Sequence, residues 1–191
     1  MLADNSDSGG DFPTDSDTLA LSFPSAYKIR KIYLSDYPTV ADARNILFDK
    51  INIGTSIINY FGHAGTSNLA GEKLLDISDV PSLSNTNRPF IMNAMTCMVG
   101  QNAFPGVDSL SEALMLKKDG GAAAVWAPSG LAFHFDSKQL DEFFFTTAFM
   151  KNKARLGSSI LESCRSFYNS GGPTYLLDIY NLQGDPALKL W

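Results

Sequence analysis

The 191-residue chain carries 45% apolar and 18% charged residues, with 13 Phe and 7 Tyr, an aromatic load that excludes a disordered chain and suffices for one substantial core. A formal net charge of −5 without any Lys/Arg block argues against nucleic acid as a partner, and the most basic stretch, residues 151–155, reads as an exposed helix end. Two cysteines, Cys97 and Cys164, allow at most one disulfide. With only His63 and His134 beside them there is no CxxC, no HExxH and no zinc cluster.

The chain opens on an acidic segment, residues 4–17, in which Asp4, Asp7, Asp11, Asp15 and Asp17 alternate with Ser, Gly and Pro13. Its composition reads as loop. Clustered carboxylates are hard oxygen ligands, so a structural calcium is one reading and a solvated loop or pocket rim another; EF-hand spacing is absent. Residues 27–34 have the branching and alternation of a strand, and Pro38 marks a turn. Residues 40–50 read as a helix with Ala43, Ile46 and Leu47 on one face, broken by Asn52 and Gly54. An almost continuous apolar strand at 55–61 then runs into Gly62-His63-Ala64-Gly65.

A second apolar strand at 89–95 ends on Thr96-Cys97. Residues 109–118 read as a helix capped by Ser109, with Glu112 placed for a capping box. A third buried strand follows at 122–127, then helices at 139–150 and 156–168, with a polar junction at 151–155 between them. Gly171-Gly172-Pro173 closes the last helix, and residues 180–188 read as a loop leading to a short edge segment. Unbroken apolar strands suit a sheet covered on both faces, and strand–helix alternation predicts an α/β layered domain with a largely parallel sheet. No apolar run approaches the ~20 residues of a membrane span, and the first residues lack the basic and apolar regions of a signal peptide.

Parallel α/β sheets gather ligands outside the carboxyl ends of their strands. His63 and Cys97 each follow such a strand, so neighbouring strands would deliver both side chains to one cleft. An imidazole beside a thiol supplies a base or a stabilising cation, and glycines around the histidine suit close approach of backbone to substrate. The backbone N–H groups of Ala64 and Cys97 are suited to a developing oxyanion. Each residue also has a plain reading, Cys97 as a small hydrophobe and His63 as a turn residue bonded to local backbone. His134 reads as a structural histidine with a place at the cleft as the alternative, and Cys164 as core.

Together these pieces resemble the catalytic domain of the gingipain-type cysteine peptidases, peptidase family C25 of the caspase-like clan. The matching segments are residues 59–65, 96–100, 111–114, 120–125 and 181–188, in order along nearly the whole chain. The resemblance implies a caspase-like three-layer sandwich over residues 1–191 and a Cys97–His63 dyad. It also implies backbone oxyanion donors at Ala64 and Cys97, where relatives usually carry glycine at position 64. The Ser16-Asp17-Thr18 context matches the position at which arginine-preferring relatives hold a basic P1 side chain, making Asp17 the candidate pocket acid; the competing reading is a helix cap or first-turn carboxylate. Asp4 and Asp7 both match the family's third, orienting acid.

The family domain usually begins further upstream, so the expectation is a fragment whose first strand is nearly absent, partnered by an upstream subdomain of the same precursor. The resemblance further implies a protein or peptide substrate, no required cofactor, and export to the exterior or surface of a bacterium. Two rival functions use the same residues differently: a sortase-like transpeptidase passing the acyl group to an amine, and a non-catalytic binding module. Flavodoxin-like cofactor binding is disfavoured because no GxGxxG follows a strand.

Overall fold

Side chains alternate across the central strands, except where the Ala122–Pro128 strand shifts register between Ala122 and Ala124. Ile58 and Tyr60 enter one apolar cluster and Phe61 the other; Met92 and Ala94 separate from Ile91 and Met95, and Val125 and Ala127 from Ala124 and Trp126. Period-two alternation with both sets apolar requires cover on both faces. In the computed structural model, which describes residues 1–150 (Met150 by backbone alone) and 155–190, that cover is two helical layers. The 151–154 part of the expected polar junction lies outside the described residues.

The sheet contains β1 (Leu2–Ala3), β2 (Ile32–Tyr33), β3 (Ile57–Phe61), β6 (Phe90–Met95), β7 (Ala122–Pro128) and β8 (Tyr180–Gly184), while β4 (Asn68–Leu69) and β5 (Leu75–Asp76) form a separate antiparallel pair. Its order is β2-β1-β3-β6-β7-β8, parallel throughout except for β8. One face is packed by α2 (Val40–Ile53) and α3 (Leu110–Leu116) through Ala43, Leu47, Ile51, Leu110 and Leu114. The other is packed by α1 (Phe12–Ala20), α4 (His134–Met150), α5 (Leu156–Asn169) and α6 (Thr174–Ile179) through Phe12, Leu19, Leu140, Phe144, Phe145, Phe167 and Leu176. The three-layer α/β sandwich expected from the sequence is the observed fold. No described helix is long and apolar enough to cross a membrane.

Four expectations change. The acidic segment is half helix: Asp11 accepts from Thr14 N as the cap of α1, and Pro13 and Asp15 occupy the first turn, where a fixed φ and negative charge both favour a helix start. The strand expected over 27–34 shrinks to Ile32–Tyr33, with a 3₁₀ turn at Leu34–Asp36 behind it. The first strand, expected to be nearly absent, is present as two residues of β1 paired on both sides, between β2 and β3. At the far end the order reverses, edge strand β8 first and loop after, with α6 an additional helix after Pro173. At the amino-terminal edge of the sheet a cavity of about 530 Å³ is lined by Met1, Lys28, Arg30, Thr55, Ile57 and Asn59, among others.

Under α4 lies a buried polar group of three. Asn93 Nδ2 donates to Asp141 Oδ1 at 3.1 Å, and Asn59 pairs with Asn93 across the β3–β6 ladder. Burial pushes the Asp141 carboxyl up to about 8, against the Asn93 hydrogen bond, which lowers it. Because the folded state holds this proton more tightly than the unfolded chain, the stabilising protonation is complete below the ordinary Asp range near pH ~4 and is lost as pH rises through about 8. Asp141→Asn is therefore expected to be near neutral at pH 4 and increasingly stabilising toward pH 8. In thermal melts across that range the gain appears as roughly 2–4 °C for each kcal/mol recovered; a pH-independent difference between the two proteins contradicts the assignment.

Candidate active site

β3 and β6 are adjacent and in register, Phe61 opposite Met95, so the residues after each strand emerge side by side. The two loops are tied directly: Thr96 Oγ1 donates to the Gly62 carbonyl at 2.6 Å inside the protein. Thr96 thus fixes the residue before Cys97 to the residue before His63. Gly62 has φ +154°, and an added Cβ would lie 2.4 Å from both Asp4 Cβ and the Tyr60 hydroxyl, so only glycine fits this close approach.

The His63 backbone is held at every polar atom. Its N–H donates to Asp4 Oδ2 at 3.1 Å, and its carbonyl accepts from the Tyr60 hydroxyl at 2.6 Å and from Ala70 N at 2.8 Å. Asp4 also accepts from Asn5 N; burial raises its carboxyl above the usual range despite these two donors. The ring has a different acid. His63 Nε2 lies 2.9 Å from Asp7 Oδ2, while Asp7 Oδ1 accepts from Gly9 N at 2.7 Å within the tight Asp7–Gly10 loop. The Gly9 hydrogen bond first, and His63 second among the stabilising contacts, hold the exposed Asp7 carboxyl below its ordinary value. The two acids left open in the sequence therefore divide the work, Asp4 on the backbone and Asp7 on the imidazole. With Nε2–H donating to Asp7, Nδ1 is the basic nitrogen.

Cys97 is half-buried in the turn after β6. Its Sγ is engaged twice by one residue, accepting from Ala132 N and approaching Ala132 O, both at 3.4 Å. The turn is fastened to the end of β7 by Met98 N donating to Gly130 O and Gly100 N to Pro128 O. No hydrogen bond joins Cys97 to His63 in this arrangement; such pairs often tighten only around substrate. Around Ala64, backbone bonds run through Gly65 N to Asn68 O and Ala70 N to His63 O, not through the Ala64 N–H.

Asp17 is not brought to these residues. Its carboxylate accepts from Tyr33 Oη at 2.5 Å and pairs with Lys31 at 2.8 Å, on the β2 side of the sheet. The α1 acid that reaches α4 is Asp15, two positions earlier: Oδ2 lies 2.7 Å from His134 Nε2 and Oδ1 2.5 Å from Lys138 Nζ. Burial works to raise Asp15, but Lys138 and His134 outweigh it and leave the carboxyl lowered. Phe12 joins the two halves, its ring edge-to-face with His63 at 5.4 Å and with His134 at 4.7 Å. Among the described residues no three His, Cys, Asp or Glu converge on a metal position, and the acidic segment's carboxylates are engaged by separate donors. Cys164 is free, half-buried on α5, and burial pushes its thiol up.

Gly62→Ala is expected to lower thermal stability by about 2 kcal/mol or more, because it combines an unfavourable φ with two clashes; a wild-type melting temperature would contradict this. Asp7→Asn, which keeps the shape but removes the charge beside Nε2, is expected to reduce kcat on a peptide by about tenfold with little change in KM. Steady-state kinetics decides it, and unchanged kcat removes Asp7 from the site.

The fold is similar to that of gingipain R, an Arg-specific cysteine proteinase, with TM-score 0.83 and 21% identity over 98% of this chain and 46% of that one. A complex of Porphyromonas gingivalis RgpB pro- and mature domains matches with TM-score 0.80 and 20% identity over 98% and 47% of the respective chains. A third structure, of a protease, matches with TM-score 0.66 and 18% identity over 74% and 37%. The chain thus spans about half the length of the first two solved structures it resembles. Comparison with curated proteins finds no match. The model of peptidase family C25 matches residues 1–191, the full length of the chain, and the protein belongs to that family.

Proposed function

We propose that this chain is the catalytic domain of a cysteine endopeptidase, with Cys97 as nucleophile and His63 as general base and acid. One observation carries the reading: in-register strands β3 and β6 end side by side at their carboxyl ends, directly before these residues, with Thr96 and Gly62 tying their loops together. Family membership supports the same chemistry.

In the first half-reaction His63 Nδ1 takes the Sγ proton as sulfur bonds to the scissile carbonyl carbon. The carbonyl π electrons move to oxygen, where the Cys97 and Ala64 N–H groups are suited to hold the charge. Collapse breaks the C–N bond, and the imidazolium delivers its proton to the leaving amine. Water, deprotonated by His63, then releases the acyl group and restores the thiol. Asp7 stabilises the imidazolium throughout. The Ala132 N–H supports the thiolate before attack. Kinship with the gingipains also supports an exported bacterial protein, partnered by a segment of its own precursor as in the pro- and mature-domain complex. A basic P1 preference through Asp17 is not supported by its bonds to Lys31 and Tyr33.

Cys97→Ala is expected to abolish peptide hydrolysis with an unchanged melting temperature, and a thiol-directed peptidyl chloromethyl ketone to label Cys97 at least a hundredfold faster than Cys164, whose burial raises its thiol. Retained turnover in the variant, or equally slow labelling of both cysteines in native protein by mass spectrometry, contradicts the proposal.

A further inference from the structure

The segment that grips the nucleophile carries an unusual exposed surface. Leu131, Phe133 and Phe135 are 75%, 74% and 74% exposed, three large apolar side chains within five residues. Leu131 and Phe133 flank Ala132, whose N–H and carbonyl both contact Cys97 Sγ. A folded chain gains nothing from holding such side chains in water, and clustered exposed apolar groups mark surfaces that something else covers. Ala132 ties this segment to the thiol, so whatever covers these side chains lies near the nucleophile in the chain.

On α1 a basic side chain finds Asp15 and Asp17 already engaged. Both Asp15 oxygens are taken, by Lys138 and His134, and Asp17 is taken by Lys31 and Tyr33. The Asp15–Lys138 pair also sits at the start of α4, directly after the apolar residues, so a guanidinium arriving there would have to displace an ammonium already in place. That displacement gains one ion pair at the expense of another. An apolar side chain meets no such cost and removes leucine and phenylalanine surface from water.

We infer that Leu131 and Phe133 form the wall of the subsite that receives the substrate residue beside the scissile bond, and that this subsite takes a large apolar side chain, leucine or an aromatic, in place of arginine or lysine. The inference rests on the peptidase reading and deepens it. Leu131 and Phe133 determine specificity through the substrate side chain they cover, and Lys138 contributes by neutralising Asp15.

A panel of matched peptides differing only in Leu, Phe, Arg, Lys or Glu on the acyl side of the cleavable bond tests it, with the full chain as enzyme. The native protein is expected to show kcat/KM for Leu and Phe peptides at least tenfold above that for Arg and Lys. Leu131→Ser and Phe133→Ser, both at exposed positions, are each expected to lower the Phe-to-Arg ratio of kcat/KM about tenfold, mainly through KM. The ratio serves as its own control for any loss of active protein. Preference for Arg or Lys, or a ratio unmoved by both variants, overturns the inference and leaves the peptidase reading standing. Failure to cleave every peptide overturns both.

Discussion

The hydrogen bond from Thr96 Oγ1 to the Gly62 carbonyl is the constraint on which the site depends. A parallel pair of strands fixes direction and register, but the two loops leaving it are free to diverge. Thr96 and Gly62 remove that freedom at the residues immediately before the thiol and the imidazole. Gly62 can serve only because it lacks a side chain, which would otherwise strike Asp4 and Tyr60. The same packing that forbids a Cβ there places Asp4 on the His63 amide, so steric and polar requirements at the turn reinforce each other.

From this point the site is built outward by short-range polar contacts. Asp7 reaches the ring only because the 7–10 loop folds its own carboxylate back onto Gly9, leaving the second oxygen for Nε2. Phe12 then transmits position from the histidine loop to His134 and hence to α4. On the other side Ala132 holds sulfur at the entrance to that helix. Histidine and cysteine are therefore located by separate loops that meet through one aromatic ring and one hydroxyl. Each side chain is thereby held by its own loop, the imidazole on Asp7 and the sulfur on Ala132.

Much of this was legible in the sequence, for identifiable reasons. The strands at Ile57–Phe61, Phe90–Met95 and Ala122–Pro128 are unbroken apolar runs whose burial on both faces leaves few alternatives, and Ser109 with Glu112 forms the expected capping box of α3. Helix α1 was hidden because Asp, Ser, Thr and Pro dominate it, although Asp11, Pro13 and Asp15 are themselves helix-start signals. Strands β1 and β2 pair over only two residues, too short for any periodicity to register. Within the site, strand ends pointed to His63 and Cys97, but nothing in a linear pattern joins Asp15 to His134 and Lys138, or Ala132 to sulfur. Those contacts exist only once α1 and α4 pack on the same face of the sheet.

The central claim is that sulfur and imidazole act on one carbonyl carbon, and a crystal structure of the chain inactivated by a peptidyl chloromethyl ketone measures this directly. The account predicts a covalent bond at Cys97 Sγ, the inhibitor oxygen facing the Ala64 and Cys97 N–H groups, and His63 Nδ1 within hydrogen-bond reach of the reacting centre, about 3–4 Å. Attachment at Cys164 instead, or a covalent adduct at Cys97 with the His63 ring turned away from it, would contradict it.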